Sequence, residues 1–160
     1  MKLIGIGDNV VDRYVNKRIM FPGGNAVNFA VYAHQCGEES AYLGLIADEK
    51  EGWLIYDSLR ELGVDVSQSY TVKGITTERC DVMIEEGNRV FAGSEYGTGK
   101  WTPLTLEEKH YKYLSGFDLI HCGCYGEMAD EVYKLDRFDA VKTYDFSSEE
   151  EYRTDSYLEK

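Results

Sequence analysis

The chain has 160 residues, 43% of them apolar, and a net charge of −12 from 29 acidic and 17 basic residues. That length and composition suit one globular domain with a sizeable core. The negative field repels phosphate backbones and acidic membrane surfaces, so neither nucleic acid nor a membrane is expected as a partner.

The opening MKLIGIG has neither the apolar length nor the cleavage site of a signal peptide, and no apolar run reaches membrane-span length. A cytoplasmic location follows as an expectation. Cys36, Cys80, Cys122 and Cys124 are then thiols rather than a disulfide framework. The 13 tyrosines are scattered, as amphipathic core and rim residues are.

KLIGIG predicts a buried first strand, and VVDRYV a second after a break. From Asn25 the period changes: Val27, Ala30, Val31 and His34 share a helical face, and Gly37 is placed to stop it. SAYLGLIA, residues 40–47, predicts one further strand, and Trp53, Leu54, Tyr56, Leu59 and Leu62 a helix ending at Gly63. Strands alternating with helices imply a parallel sheet covered on both faces.

Residues 69–93 break that rhythm, because RCDVMI and RVFAG flank the turn cluster EEGN and predict an inserted hairpin. Beyond the glycine-rich SEYGTGKW, the segment TPLTLEEKHYKYL predicts a helix headed by Thr and Pro. FDLIHCG reads as a strand, EMADEVYKL as a short helix and DAVKTYDFS as a last strand. No internal repeat or domain boundary is visible.

Three apparent motifs fail on inspection. GIGDNV follows a strand like a dinucleotide fingerprint, but Val10 stands where the third glycine belongs, and a strand follows instead of a helix. YGTGKW has Ser94 where a phosphate loop begins with glycine, and Trp101 where it ends in Ser or Thr. In HCGC, Cys122 and Cys124 share a strand face while His121 points the other way, and no second cysteine pair completes a zinc site.

FPGGNAVNFA, residues 21–30, is the stretch with chemistry left in it. Gly23 and Gly24 permit unusual backbone angles at a helix head, where unpaired amides point outward. Asn25 and Asn28, three apart, project from the first turn, and an amide both donates to and accepts from a hydroxyl. The alternative, that Asn25 caps the helix and Asn28 is an ordinary surface residue, stays open at this level.

PGGNAVNFAVYAHQCG resembles the amino-terminal motif of the ribokinase (PfkB-type) family of carbohydrate kinases, in which Gly-Gly-x-x-x-Asn opens the first helix. LGLIADEKEGWLIYDSLRELGVDVS is similar to the family's next passage. The words GDN with VD, GGNAVNFAVY, RVF and DFS are most similar to the fructoselysine 6-kinase subfamily.

The resemblance implies an α/β, ribokinase-like doubly wound sheet with a small β-sheet lid formed by segments near 10–22 and 69–93. It implies sugar-binding roles for Asp12, Gly23, Gly24, Asn28 and Asn25, with Phe91 and Tyr14 as apolar parts of the cover. Arg79 or Arg89 could meet a charged group of the substrate, and the sequence does not choose between them; ordinary exposed hairpin charge is the alternative, and the one the sequence favours. It further implies ATP and Mg as cofactors, and a homodimer formed through the lid.

Residues 1–160 match only the amino-terminal half of that family's domain. The later Gly-Ala-Gly-Asp segment, which carries the catalytic base and the phosphoryl-binding amides, is missing from them. The chain is therefore expected to hold the substrate half of a sugar kinase without a catalytic residue of its own. The rival expectation is a sugar-binding or assembly module without chemistry.

Overall fold

The computed structural model describes residues 1–126, 128, 130–148 and 150–154. In chain order the elements are β1 (Lys2–Ile6), β2 (Val10–Tyr14), β3 (Ile19–Gly23), α1 (Asn25–Gln35), β4 (Glu39–Leu43), β5 (Leu45–Ala47), α2 (Lys50–Leu62), β6 (Tyr70–Val72), β7 (Glu78–Glu85), β8 (Asn88–Glu95), α3 (Glu108–Leu114), β9 (Leu119–Gly123) and β10 (Val141–Asp145).

The body is a parallel sheet in the order β10-β9-β1-β4. Alternation along its strands feeds two cores. Ile4, Ile6, Leu43, Ile120 and Cys122 pack with Leu104, Leu106 and Leu114 on one face. Tyr42 packs with Ala26, Val27, Ala30, Ile55 and Leu59, from α1 and α2, on the other. Helix α1 lies so close to β1 that a Cβ on Gly5 would run into the carbonyl of Ala26.

SAYLGLIA is two strands where the sequence predicts one. The break is at Gly44, whose missing side chain leaves room for the Tyr42 hydroxyl. That hydroxyl donates to the carbonyl of Gly7 at 2.8 Å. Beyond the break the chain leaves the body sheet, and β5 pairs in parallel with β6.

A second sheet, in the order β3-β2-β7-β8, stands apart from the body. The hairpin turn has two residues, Glu86 and Gly87, both at positive φ (50° and 85°). This is the turn whose twist suits two antiparallel strands. Residues 10–14, 19–23, 78–85 and 88–95 make up this outlying sheet, while 70–72 belong to the β5 pairing.

Charged groups tie the outlying sheet down. Arg79, with only 15% of its side chain exposed, reaches Glu51 at 3.3 Å, Glu49 at 3.4 Å and Glu95 at 3.5 Å. Arg13 pairs with Asp81 at 2.7 Å and Glu95 at 3.2 Å.

Helix α3 begins later than its Thr-Pro head predicts. Leu104 and Leu106 alternate into the core as extended chain, and Glu107 with His110 forms the capping box that starts the helix. Part of the short helix predicted over EMADEVYKL lies outside the described residues, and Val132–Arg137 form a 3-10 helix.

Candidate functional site

Strand β1 ends in Gly7, Asp8 and Asn9 at the carboxyl edge of the parallel sheet, where open α/β folds place their ligands. Asn9 donates to the Tyr42 hydroxyl and to the carbonyl of Leu45, each at 2.8 Å. The part-buried Asp8 carboxylate accepts from the backbone amides of Asn25 at 2.5 Å and Ala26 at 3.2 Å. A side chain seventeen residues upstream therefore caps α1. Burial pushes the Asp8 carboxyl above the usual carboxylate range, against the pull of those two amides.

This corrects the expectation of vacant amides at the head of α1, because Asp8 already occupies two of them. Gly24, the residue before the helix, has φ 103°. A Cβ there would lie 2.8 Å from Asn9 Cα and 3.0 Å from the Asp8 carboxylate, so only glycine fits the cap.

Asn25 and Asn28 have different surroundings. The Asn25 amide donates from Nδ2 to the Asp145 carboxylate, and its Oδ1 lies 2.6 Å from His121 Nε2. Because a carboxylate only accepts, Nδ2 must face Asp145. His121 Nε2 therefore carries the proton, and Nδ1, 2.9 Å from the Thr143 hydroxyl, accepts. Burial lowers the His121 pKa, which suits this neutral form. Phe29 stacks on the imidazole at 4.5 Å.

Asn25 thus joins α1 to the ends of β9 and β10, whereas Asn28 is exposed and makes no side-chain hydrogen bond among the described residues. Neither is the cap.

On the outlying sheet, Asp12 has 18% of its side chain exposed and accepts from Arg89 Nη2 at 2.8 Å. Burial raises its pKa, and Arg89 works against that rise. Gly23 pairs with Val10 on the neighbouring strand, and a Cβ on it would come 3.4 Å from the Asp12 carboxylate and from Val10. Phe91 is 67% exposed. The Arg89 guanidinium sits 5.4 Å from the Phe91 ring and 5.7 Å from that of Tyr14, and Tyr14 meets Phe21 edge-on at 5.6 Å.

The structure therefore groups Asp12, Gly23, Tyr14, Arg89 and Phe91, and Gly23 runs through Gly24 into the helix that carries Asn25 and Asn28. A neighbouring open cleft of about 490 Å³ is lined by Gly7, Asp8, Asn9, Thr76, Thr77 and Tyr125. None of the predicted sugar ligands lines it.

Sequence reasoning missed Asp8 and the His121–Asn25–Asp145 cluster. One signal was available: Asp8 and Asp145 both lie at carboxyl ends of parallel strands. Of HCGC, Cys122 packs in the core, and burial pushes its thiol up to about 12.

The profile of the pfkB family carbohydrate kinases matches residues 1–156. The fructosamine kinase FrlD of Bacillus subtilis (strain 168) is 33% identical over 164 residues, which cover 100% of this chain and 55% of that protein. The fructoselysine 6-kinase of Escherichia coli (strain K12) is 32% identical over 145 residues, 91% of this chain and 54% of that protein. The chain thus spans about half the length of these relatives.

Among solved structures, Arabidopsis thaliana ribokinase complexed with ribose and ATP superposes with a TM-score of 0.72 at 16% identity, covering 92% of this chain and 54% of that one. The fold is the ribokinase-like α/β fold expected from the sequence. With its profile match and two relatives above 30% identity, the chain belongs to the pfkB family of carbohydrate kinases.

Proposed function

We propose that this chain is the sugar-binding half of an ATP-dependent kinase acting on a hydroxyl of a sugar or sugar–amine adduct, in the manner that the name fructoselysine 6-kinase describes for a relative. The supporting observation is the packing of Gly23 against the Asp12 carboxylate, two residues before a helix whose exposed Asn28 makes no side-chain hydrogen bond among the described residues. Ionised Asp12 accepts from sugar hydroxyls, Asn28 donates or accepts, and Gly23 lets the backbone come close. These groups orient an acceptor hydroxyl, and phosphoryl transfer asks the protein mainly for positioning and charge stabilisation. Asp12 is a sugar ligand in this proposal and not the catalytic base.

ATP and Mg enter the proposal from the family alone, and the one Gly-Lys loop of the chain does not fit them. A Cβ on Gly97 would collide with the backbone of Thr76 and Thr77, and the Gly99 amide donates to the Thr76 carbonyl at 3.0 Å. Those amides are committed to the protein's own backbone, so no catalytic step is routed through this loop.

Two further elements belong to the proposal. Two copies pair through the outlying sheet, whose edge strand β8 is exposed along its whole length and presents Val90 and Phe91. The protein works in the cytoplasm, in keeping with four cysteines that form no disulfide among the described residues. Among the described residues no helix is long and apolar enough to cross a membrane.

Titration calorimetry of the chain with fructoselysine tests the sugar site, and sedimentation tests the pairing. Saturable binding at one site per chain is the expected result, and its absence refutes the reading. The non-catalytic module remains the second reading, favoured by the Gly-Lys loop, whose Gly99 amide is spent on the Thr76 carbonyl. Sugar-dependent ADP release by the native gene product would exclude it.

A further inference from the structure

Of the two arginines that the sequence offers for a charged substrate group, Arg79 is already committed. Three carboxylates surround it, and 15% of its side chain is exposed. Arg13 is likewise neutralised by Asp81 and Glu95. Arg89 is different: its side chain is 49% exposed, and among the described residues its one carboxylate partner is Asp12, the proposed sugar ligand. Only Nη2 is used in that contact, and Nε and Nη1 make no hydrogen bond among the described residues.

A guanidinium presents five donors in a rigid plane, so one edge can hold Asp12 while the rest of the fork meets a second anion. Tyr14 and Phe91 lie on either ring contact of this guanidinium and restrict its hydration and its tilt. Its backbone is paired with Ile84, between the partner of Asp12 on β7 and the hairpin turn. A ligand gripped at Asp12 would therefore reach Arg89 with a substituent extending toward the tip of the cover. A chain of net charge −12 also repels a diffusing anion, so binding one demands a dedicated cation beside the site.

We infer that Arg89 is a specificity residue that reads a carboxylate on the amine arm of a sugar–amine adduct, while its contact with Asp12 keeps that carboxylate aligned for the sugar. This rests on the sugar-site reading above. It narrows the substrate class to sugar adducts of amino acids in which the amino-acid carboxylate is free.

The test compares fructoselysine with its carboxamide, which keeps both amino groups and lacks the carboxylate. Calorimetric titrations would use the unaltered chain, Arg89→Gln and Arg89→Lys, with melting temperatures recorded in parallel. The unaltered chain should bind fructoselysine about tenfold or more tighter than the carboxamide, the yield of one charge-assisted hydrogen bond. Arg89→Gln should bind the two alike, and Arg89→Lys should keep part of the preference at an unchanged melting temperature.

Equal binding of both adducts by the unaltered chain, or a preference that survives in Arg89→Gln, overturns the role of Arg89 and leaves the sugar site standing. Binding of neither adduct overturns both readings together.

Discussion

Replacing Asp12 by alanine separates a binding role from a structural one, because the structure predicts very different sizes for the two effects. Among the described residues the side-chain partner of Asp12 is Arg89, at 2.8 Å and 49% exposed, so the orphaned guanidinium can turn to water. Such an exposed pair contributes about 0 to 1 kcal/mol, and removing a half-buried carboxylate also relieves its desolvation. The melting temperature should then move by no more than about 2 to 4 °C. Each hydrogen bond from a hydroxyl to the ionised carboxylate is worth about 1.5 to 3 kcal/mol, which is roughly a tenfold to hundredfold loss of sugar affinity. Calorimetry with fructoselysine and a thermal melt on the same preparation read both quantities. Unchanged affinity with a melting point lowered by much more than this would make Asp12 a structural residue and refute the reasoning.

Three more outcomes follow from the same geometry. Asn28→Ala should weaken sugar binding at an unchanged melting temperature, whereas Asn25→Ala, which strips partners from Asp145 and His121, should lower the melting temperature by an amount matching about 1 to 3 kcal/mol. Gly24→Ala forces a side chain into a backbone at φ 103° and against Asn9, and should cost at least about 1 to 3 kcal/mol in a denaturant titration. Because burial raises the folded-state pKa of Asp8, its protonated form is favoured by folding: that contribution is full below the ordinary carboxylate range and is lost as pH rises through the raised value. The melting-temperature advantage of the unaltered chain over Asp8→Asn should therefore shrink as pH rises from the ordinary carboxylate range through the raised value, and an advantage that grows instead would contradict the assignment.

Helices α1 and α2 were legible because their apolar residues repeat with the helical period and a glycine follows each. Strand β3 was not, since Pro22 interrupts its pattern, yet a proline is tolerated there because β3 is an edge strand. Strand β6 is three residues long and carries too little pattern to register. The head of α3 misled because Thr102 and Pro103 imitate a helix start, while burial of Leu104 and Leu106 holds the chain extended.

At the site, Asp12, Gly23 and Asn28 were found through motif resemblance. Asp8 was not, because its work is non-local: it caps a helix that begins only after two intervening strands. The same applies to His121 and Asp145, which meet Asn25 across a sequence separation that no short-range pattern reports.

The Arg79 knot limits how the outlying sheet can shift. Its carboxylates come from the front of α2 and from β8, so that sheet and that helix are riveted to one another. Any displacement of the sheet must then either snap a three-way clasp or drag α2 along, and the second route would transmit the movement into the far side of the protein's interior, where Ile55 and Leu59 are seated.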